Sequence, residues 1–300
     1  MKFVKEHALS ESFNLSTITD YYELTKPGIT FMVLASMLMG FILGSSQGIE
    51  YMALIHAIIG TYLIAAGTAA HNQFIERKLD KLMNRTSKRP LPDQRIPPQN
   101  AFLFSIGLIL VGLVYLIMMV NFVAGLVSAA TTLIYLGAYT PMKRVSSLNV
   151  WIGAIPGALP PVGGWAAATG HLSNPGMWIL FAIVFFWQVP HVLAIAWLCN
   201  NDYSNAGFHM LPKNDTKGNK TSLLIMLCLL ALIPVTYLLY AIHISGMIYL
   251  VGGMLSALGF LYYGIVFTKE RTKDAAKKLM FASFIYLPLV WLFVFIDLLV

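Results

Sequence analysis

The chain has 300 residues, 58% of them hydrophobic and 11% charged, with a formal net charge of +7. A water-soluble domain carries about 25% charged residues to solvate its surface, so an ordinary soluble fold is excluded. Two cysteines, Cys199 and Cys228, likewise exclude a disulfide framework or a CxxC metal site.

Residues 1–28 are polar and mixed in charge before any apolar run, which marks a cytoplasmic or interfacial segment and not a signal peptide. Residues 29–300 read as a single intramembrane domain, with apolar runs near 29–46, 51–71, 101–119, 122–140, 150–168, 177–198, 223–243, 247–267 and 279–299. Each approaches the roughly 20 residues that cross a hydrocarbon core of about 30 Å as a helix. The short alternating segments of a membrane barrel are absent. The expected fold class is an all-α membrane protein with about nine transmembrane helices.

The 20 Lys and Arg residues fall on alternate connections. Lys2, Lys5 and Lys26 precede the first span, and seven lie between Arg77 and Arg95 after the second. Lys143 and Arg144 follow the fourth, three from Lys213 to Lys220 follow the sixth, and five from Lys269 to Lys278 follow the eighth. The positive-inside rule makes that side cytoplasmic, with the N-terminus inside and the C-terminus outside. The basic balance thus reflects orientation and anionic ligands, not nucleic acid.

Two inward connections are long, 71–100 and 199–222, and long loops on a compact scaffold are usually functional. In the first, Asn72, Glu76 and Asp80 are spaced i, i+4, i+8 and form one stripe on a helix continuing from the second span. Arg85, Lys88 and Arg89 follow. Carboxylates suit Mg²⁺ bridged to substrate phosphates, and arginines suit phosphate oxygens. A magnesium-diphosphate site is the reading favoured over a solvated helix end in which Glu76 pairs with Lys81 and Asp80 with Arg77. The second loop adds Asp202 among amide and phenol groups, and Lys143 with Arg144 supply further cationic contacts or anchor their loop inside.

The stripe with its Arg85-Thr86-Ser87-Lys88-Arg89-Pro90-Leu91 continuation resembles the first aspartate-rich motif of the UbiA superfamily of intramembrane polyprenyltransferases. The resemblance extends through Leu24-Thr25-Lys26-Pro27-Gly28, Tyr139-Thr140-Pro141, Pro160-Pro161, Gly164-Trp165, Trp187-Gln188-Val189-Pro190-His191, Asp202-Tyr203 and Met210-Leu211-Pro212. It covers nearly the whole chain beyond residue 20 and is nearest to the haem-directed branch. Gln73, Glu76 and Ala206 stand where many members have Asp, which leaves fewer carboxylates for metal.

The resemblance implies nine helices around a central cavity, with Asn72, Glu76, Asp80 and Asp202 holding Mg²⁺ and Arg85, Lys88, Arg89, Lys143, Arg144 and Lys26 binding diphosphate. It implies transfer of a farnesyl group from farnesyl diphosphate to a vinyl group of haem B, with water addition giving haem O, in the bacterial cytoplasmic membrane. The active site would open to the cytoplasm, with haem-modifying or oxidase-assembly proteins acting downstream. His191, within the sixth span, is either a haem contact or a helix-packing histidine; His71 and His209 flank the acidic loops as weaker candidates. The rival functions are a prenyltransferase acting on a phenolic or quinone precursor and, from another class, a small-molecule transporter.

Overall fold

The computed structural model describes residues 15–45 and 48–300; the remainder of the expected N-terminal segment, with His7, lies outside them. Backbone polar groups in a bilayer must be satisfied within the spanning segment, and the described residues accordingly form helices and no strand. The first half comprises α1 (Leu15–Leu24), α2 (Pro27–Gly44), α3 (Tyr51–Asp80), α4 (Pro98–Met119) and α5 (Phe122–Leu133). A π-helical turn (Ile134–Tyr139) and the three-residue α6 (Thr140–Met142) end it. Then come α7 (Asn149–Ala158), α8 (Pro160–Thr169), α9 (Pro175–Leu198), α10 (Asn200–Asn205), α11 (Asn219–Ala241), α12 (Met247–Glu270) and α13 (Lys273–Leu299).

Among the described residues, eight helical stretches are long and apolar enough to cross a membrane. The segment expected as the fifth span, 150–168, is instead two ten-residue helices, α7 and α8, with Leu159 between them. Pro156, Pro160 and Pro161 are the cause, because they lack the N–H groups that would bond the carbonyls of Ile152, Pro156 and Gly157 in a regular α-helix.

α3 packs along α4, α2 along α8, α11 along α9 and α12, and α12 along α13. α2 also meets α9 and α13, so the helices close around a central space. The α2–α8 contact is made by backbone. A Cβ at Gly40 would collide with the Pro161 carbonyl, and one at Gly164 with the Met37 carbonyl. Outward-facing Phe31, Leu103, Met118, Leu133 and Leu255 are exposed, and an apolar exterior of this extent faces lipid.

The basic connections meet one another at one end of the bundle. Arg85 Nη2 donates to the Tyr203 hydroxyl, His209 N to the Lys143 carbonyl, and Arg271 Nη1 to the Lys217 carbonyl. α1 docks at the same end. Its Leu24 is buried with Ala70, Leu91, Ile96 and Ala101, while Asp20 and Glu23 pair with Arg95. This part of the segment expected at the interface is therefore packed on the loop after α3.

The backbone contact at Gly164 yields a matched test with its neighbour. Gly164→Ala is expected to cost about 1–3 kcal/mol by overpacking. Gly163→Ala meets Val127 at an ordinary 3.6 Å and gains helix propensity instead. Thermal unfolding in one detergent checks both; equal midpoints would mean that the α2–α8 seam yields freely.

Candidate active site

α3 runs unbroken to Asp80, so the spacing of Asn72, Glu76 and Asp80 does place them on one helical stripe. They are 1%, 5% and 1% exposed, and a carboxylate is withdrawn from water to that degree only beside a compensating charge. Neither Lys81 nor Arg77 supplies it: Lys81 is exposed, and Arg77 turns to the Phe74 carbonyl and ring. Glu76 Oε1 accepts from Lys143 Nζ at 2.7 Å, a residue 67 positions away beyond α6. Asp80 Oδ2 accepts from Arg89 Nη1 at 3.0 Å, because the turns after α3 fold back over its end. Asn72 Oδ1 accepts from Lys26 Nζ at 2.9 Å, and its amide donates to Thr140 at 3.2 Å.

Burial, aided by the Arg89 charge, pushes the Lys26 ammonium down to about 7. For Lys143, burial acts in the same sense but is outweighed by the Glu76 carboxylate, so its pKa rises. The two neighbouring ammonium groups are thus driven apart, one kept charged by a carboxylate and one left beside a neutral amide.

The second loop joins from the opposite side. Asp202, on α10, accepts from the Arg85 backbone N–H at 3.3 Å, and Arg85 Nη2 donates to Tyr203 at 3.1 Å. Burial raises the Tyr203 phenol above its ordinary value. Asn149, fully buried, ties the strand of chain beyond α10 by donating to the His209 carbonyl at 2.7 Å. Lys88 and Arg144, expected at the diphosphate, are exposed, and the side chain of neither makes a hydrogen bond or ion pair within the described residues. The structure does not bring them into the cluster.

Beneath the cluster lies a cavity of about 630 Å³, within the range of ligand pockets. Its walls are mainly apolar side chains of α2, α3, α5, α7, α9 and α13, and Lys26 and Tyr139 link it to the charged groups. Lys143 Nζ sits 4.6 Å from the Tyr139 ring centre. Tyr135 and Tyr139 both lie in the π-helical turn, a local departure from α-helix that is frequent at functional sites.

His191 lines the deeper wall, stacked on Trp187 at 5.2 Å. His191 Nδ1 lies 2.7 Å from the Ser283 hydroxyl, which also lies 2.5 Å from the Met280 carbonyl, so the direction of the Nδ1 bond follows the imidazole tautomer. Nε2 makes no hydrogen bond among the described residues. His71 is turned away to Ser105 between α3 and α4, and His209 is exposed.

Among the described residues, no three His, Cys, Asp or Glu side chains converge as a ready metal cluster. The donor chemistry nevertheless fits an oxygen-preferring divalent ion. Each of Glu76, Asp80 and Asp202 commits one carboxylate oxygen to a hydrogen bond and leaves the other without one. Gln73 is no substitute acid: its Nε2 donates to the Leu24 carbonyl at 2.9 Å, and its neutral Oε1 is buried without a hydrogen-bond partner among the described residues. Sequence reasoning did not single out Tyr135, Tyr139, Thr140, Tyr203 or Gln188 as site residues. The i, i+4 pair of tyrosines beside Lys143 was the available signal.

Comparison with known proteins places these features in a family. The model of the UbiA prenyltransferase family matches residues 33–286. The chain is 43% identical over 287 residues to the protoheme IX farnesyltransferase of Solibacter usitatus, covering 93% of this chain and 98% of that one. In fold it is similar to a digeranylgeranylglyceryl phosphate synthase structure (TM-score 0.79, 18% identity, covering 94% of this chain and 99% of that one). It is also similar to a UbiA homologue of Archaeoglobus fulgidus bound to GPP and Mg²⁺ (TM-score 0.65, 14% identity, 92% and 99%).

The Glu76–Lys143 pair is testable by a double-mutant cycle. Removing one partner from a buried pair costs about 3–5 kcal/mol, so Lys143→Met is expected to lower the unfolding midpoint strongly. Adding Glu76→Gln should recover much of that loss. Additive losses in the double variant would show that the two groups do not depend on each other.

Proposed function

The chain belongs to the UbiA prenyltransferase family, and from that premise we propose that it transfers a farnesyl group from farnesyl diphosphate to a vinyl group of haem B, with water addition, to give haem O. The observation that carries this reading is the set of buried charges at the head of an apolar cavity, with His191 on its deeper wall. One end suits a diphosphate, the other a flat apolar acceptor with a metal centre. The 43% identity, over nearly the full length of both chains, to the Solibacter usitatus protoheme IX farnesyltransferase supports the choice of acceptor.

Asn72, Glu76, Asp80 and Asp202 would hold a divalent cation, in keeping with the Mg²⁺ of the Archaeoglobus fulgidus homologue. When bound, the ion would act as a Lewis acid toward the departing diphosphate. Lys26, Arg85, Arg89 and Lys143 already stand around that position and share the developing charge. As the C–O bond of the prenyl diphosphate breaks, the bonding pair leaves with the diphosphate. The apolar walls shelter the allylic cation from bulk water until the vinyl group captures it. His191 Nε2 is the directional contact for the haem iron.

The protein is integral to a membrane, as the eight long apolar helices among its described residues require. The basic end faces the cytoplasm, by the excess of Lys and Arg in its connections. A reporter inserted between Asn84 and Gln99 is expected inside the cell, and labelling it from outside would reverse the orientation.

The direct test is mass analysis of pigments formed by the purified chain from haem B, farnesyl diphosphate and Mg²⁺. Farnesylated, hydrated haem is expected; prenylation of 4-hydroxybenzoate with haem untouched would overturn the acceptor. Glu76→Gln and Asp80→Asn should each reduce turnover by about a hundredfold or more, with the folded fraction checked by gel filtration. His191→Ala should raise the haem concentration needed for half-maximal rate and leave that for farnesyl diphosphate nearly unchanged.

A further inference from the structure

Gln188 is a polar group that the binding steps above leave without a task. Its side chain lines the cavity from α9, three residues before His191. Among the described residues its Oε1 is buried without any partner, and its Nε2 makes no hydrogen bond. No group among them offsets the desolvation of that oxygen.

Its surroundings are equally particular. A Cβ on Gly157 would collide with the Gln188 amide, so glycine there opens the notch that the amide occupies. Gly153 makes the same allowance for the Tyr139 ring. Gly153 and Gly157 lie one turn apart on the same face of α7, so Gln188 sits one turn, about 5–6 Å, beyond Tyr139. Tyr139 in turn lies under Lys143 of the charged cluster. In the same stretch of wall, Pro160 and Pro161 withdraw the α-helical donors of the Pro156 and Gly157 carbonyls. A buried water needs two to four polar partners, and this notch offers an unpartnered amide beside two carbonyls that lack their α-helical donors, in a mainly apolar cavity.

We propose that Gln188, with the Pro156 and Gly157 carbonyls, holds the water molecule that completes the reaction. The inference rests on the farnesyl-haem reading above. Attack of the vinyl π electrons on the farnesyl carbon forms the C–C bond and leaves a cation on the carbon next to the porphyrin ring. A lone pair of the held water forms the C–O bond to that carbon. The proton released goes to the freed diphosphate, because an amide is too weak a base to keep it. Without the held water, the same cation loses a proton from its neighbouring CH₂ and gives an alkene lighter by one water. The notch reconciles a dry cavity, needed while the first cation exists, with a reaction that consumes water. Gln188 is thus a water-positioning residue that decides which product leaves.

The test uses the full chain with haem B and farnesyl diphosphate, the products being resolved by mass. Gln188→Leu is expected to raise the ratio of dehydrated to hydrated farnesyl haem at least about tenfold, within what one preorganised polar contact contributes. Gln188→Asn should give a smaller rise. Gly157→Ala, which pushes the amide out of its notch from the opposite helix, should give a rise of its own. The ratio is independent of how much protein folds, so the Asn and Gly157→Ala variants decide the matter should the Leu variant be inactive. Wild-type product ratios in these variants would overturn the proposal. So would a raised haem requirement with the ratio unchanged, which would make Gln188 a contact to the acceptor only. Absence of any farnesylated haem from the wild-type chain would instead refute the acceptor reading.

Discussion

Two carboxylates almost wholly withdrawn from water, on a helix that rises out of an apolar bundle, are the constraint around which the charged end is arranged. Glu76 and Asp80 are tolerable there only with cations beside them. Neighbouring turns of α3 cannot reach inward, so the cations must come from other segments. The turns after Asp80 fold back to deliver Arg89, and the chain beyond α6 delivers Lys143. The folded-back loop then needs its own anchorage, which Leu91, Ile96 and Arg95 find against α1. A helix that looks like an N-terminal appendage is in this sense part of the site's foundation.

Much of this was legible in the amino-acid sequence because its physics is local. Apolar run length sets the helices, and i, i+4 spacing sets the stripe on α3. The partners were not legible, because side chains 67 positions apart, as Glu76 and Lys143 are, meet only once the fold exists. Pairing at short range with Lys81 and Arg77 was physically reasonable, and it fails because those side chains lie on the outer face of the helix end. The fifth span illustrates the reverse case. It was expected as one helix, and its prolines break it at Leu159 while its glycines allow backbone contact at Gly164.

The departures from the usual family pattern also acquire a physical sense. Gln73 stands where many members carry an acid, and it holds α1 through the Leu24 carbonyl. An acid there would add a third buried negative charge and lose the donor that fastens the N-terminal helix. Fewer carboxylates at the mouth therefore go together with a tighter cap over it. His191 shows a comparable economy, since Nδ1 bonds Ser283 while Nε2 makes no hydrogen bond among the described residues.

The π-helical turn has an effect that extends beyond its own six residues. Each wider turn advances the chain less far around the axis than a regular one, and over such a segment the deficit approaches the 100° that a single residue contributes. Everything after Tyr139 on that helix is consequently rotated as a block, including the Lys143 ammonium that seals Glu76. Winding the same six residues as regular α-helix, with none deleted, would turn that ammonium by about 100° and aim it at a different neighbour. The angular phase of a helix is in this way a component of the active site in its own right.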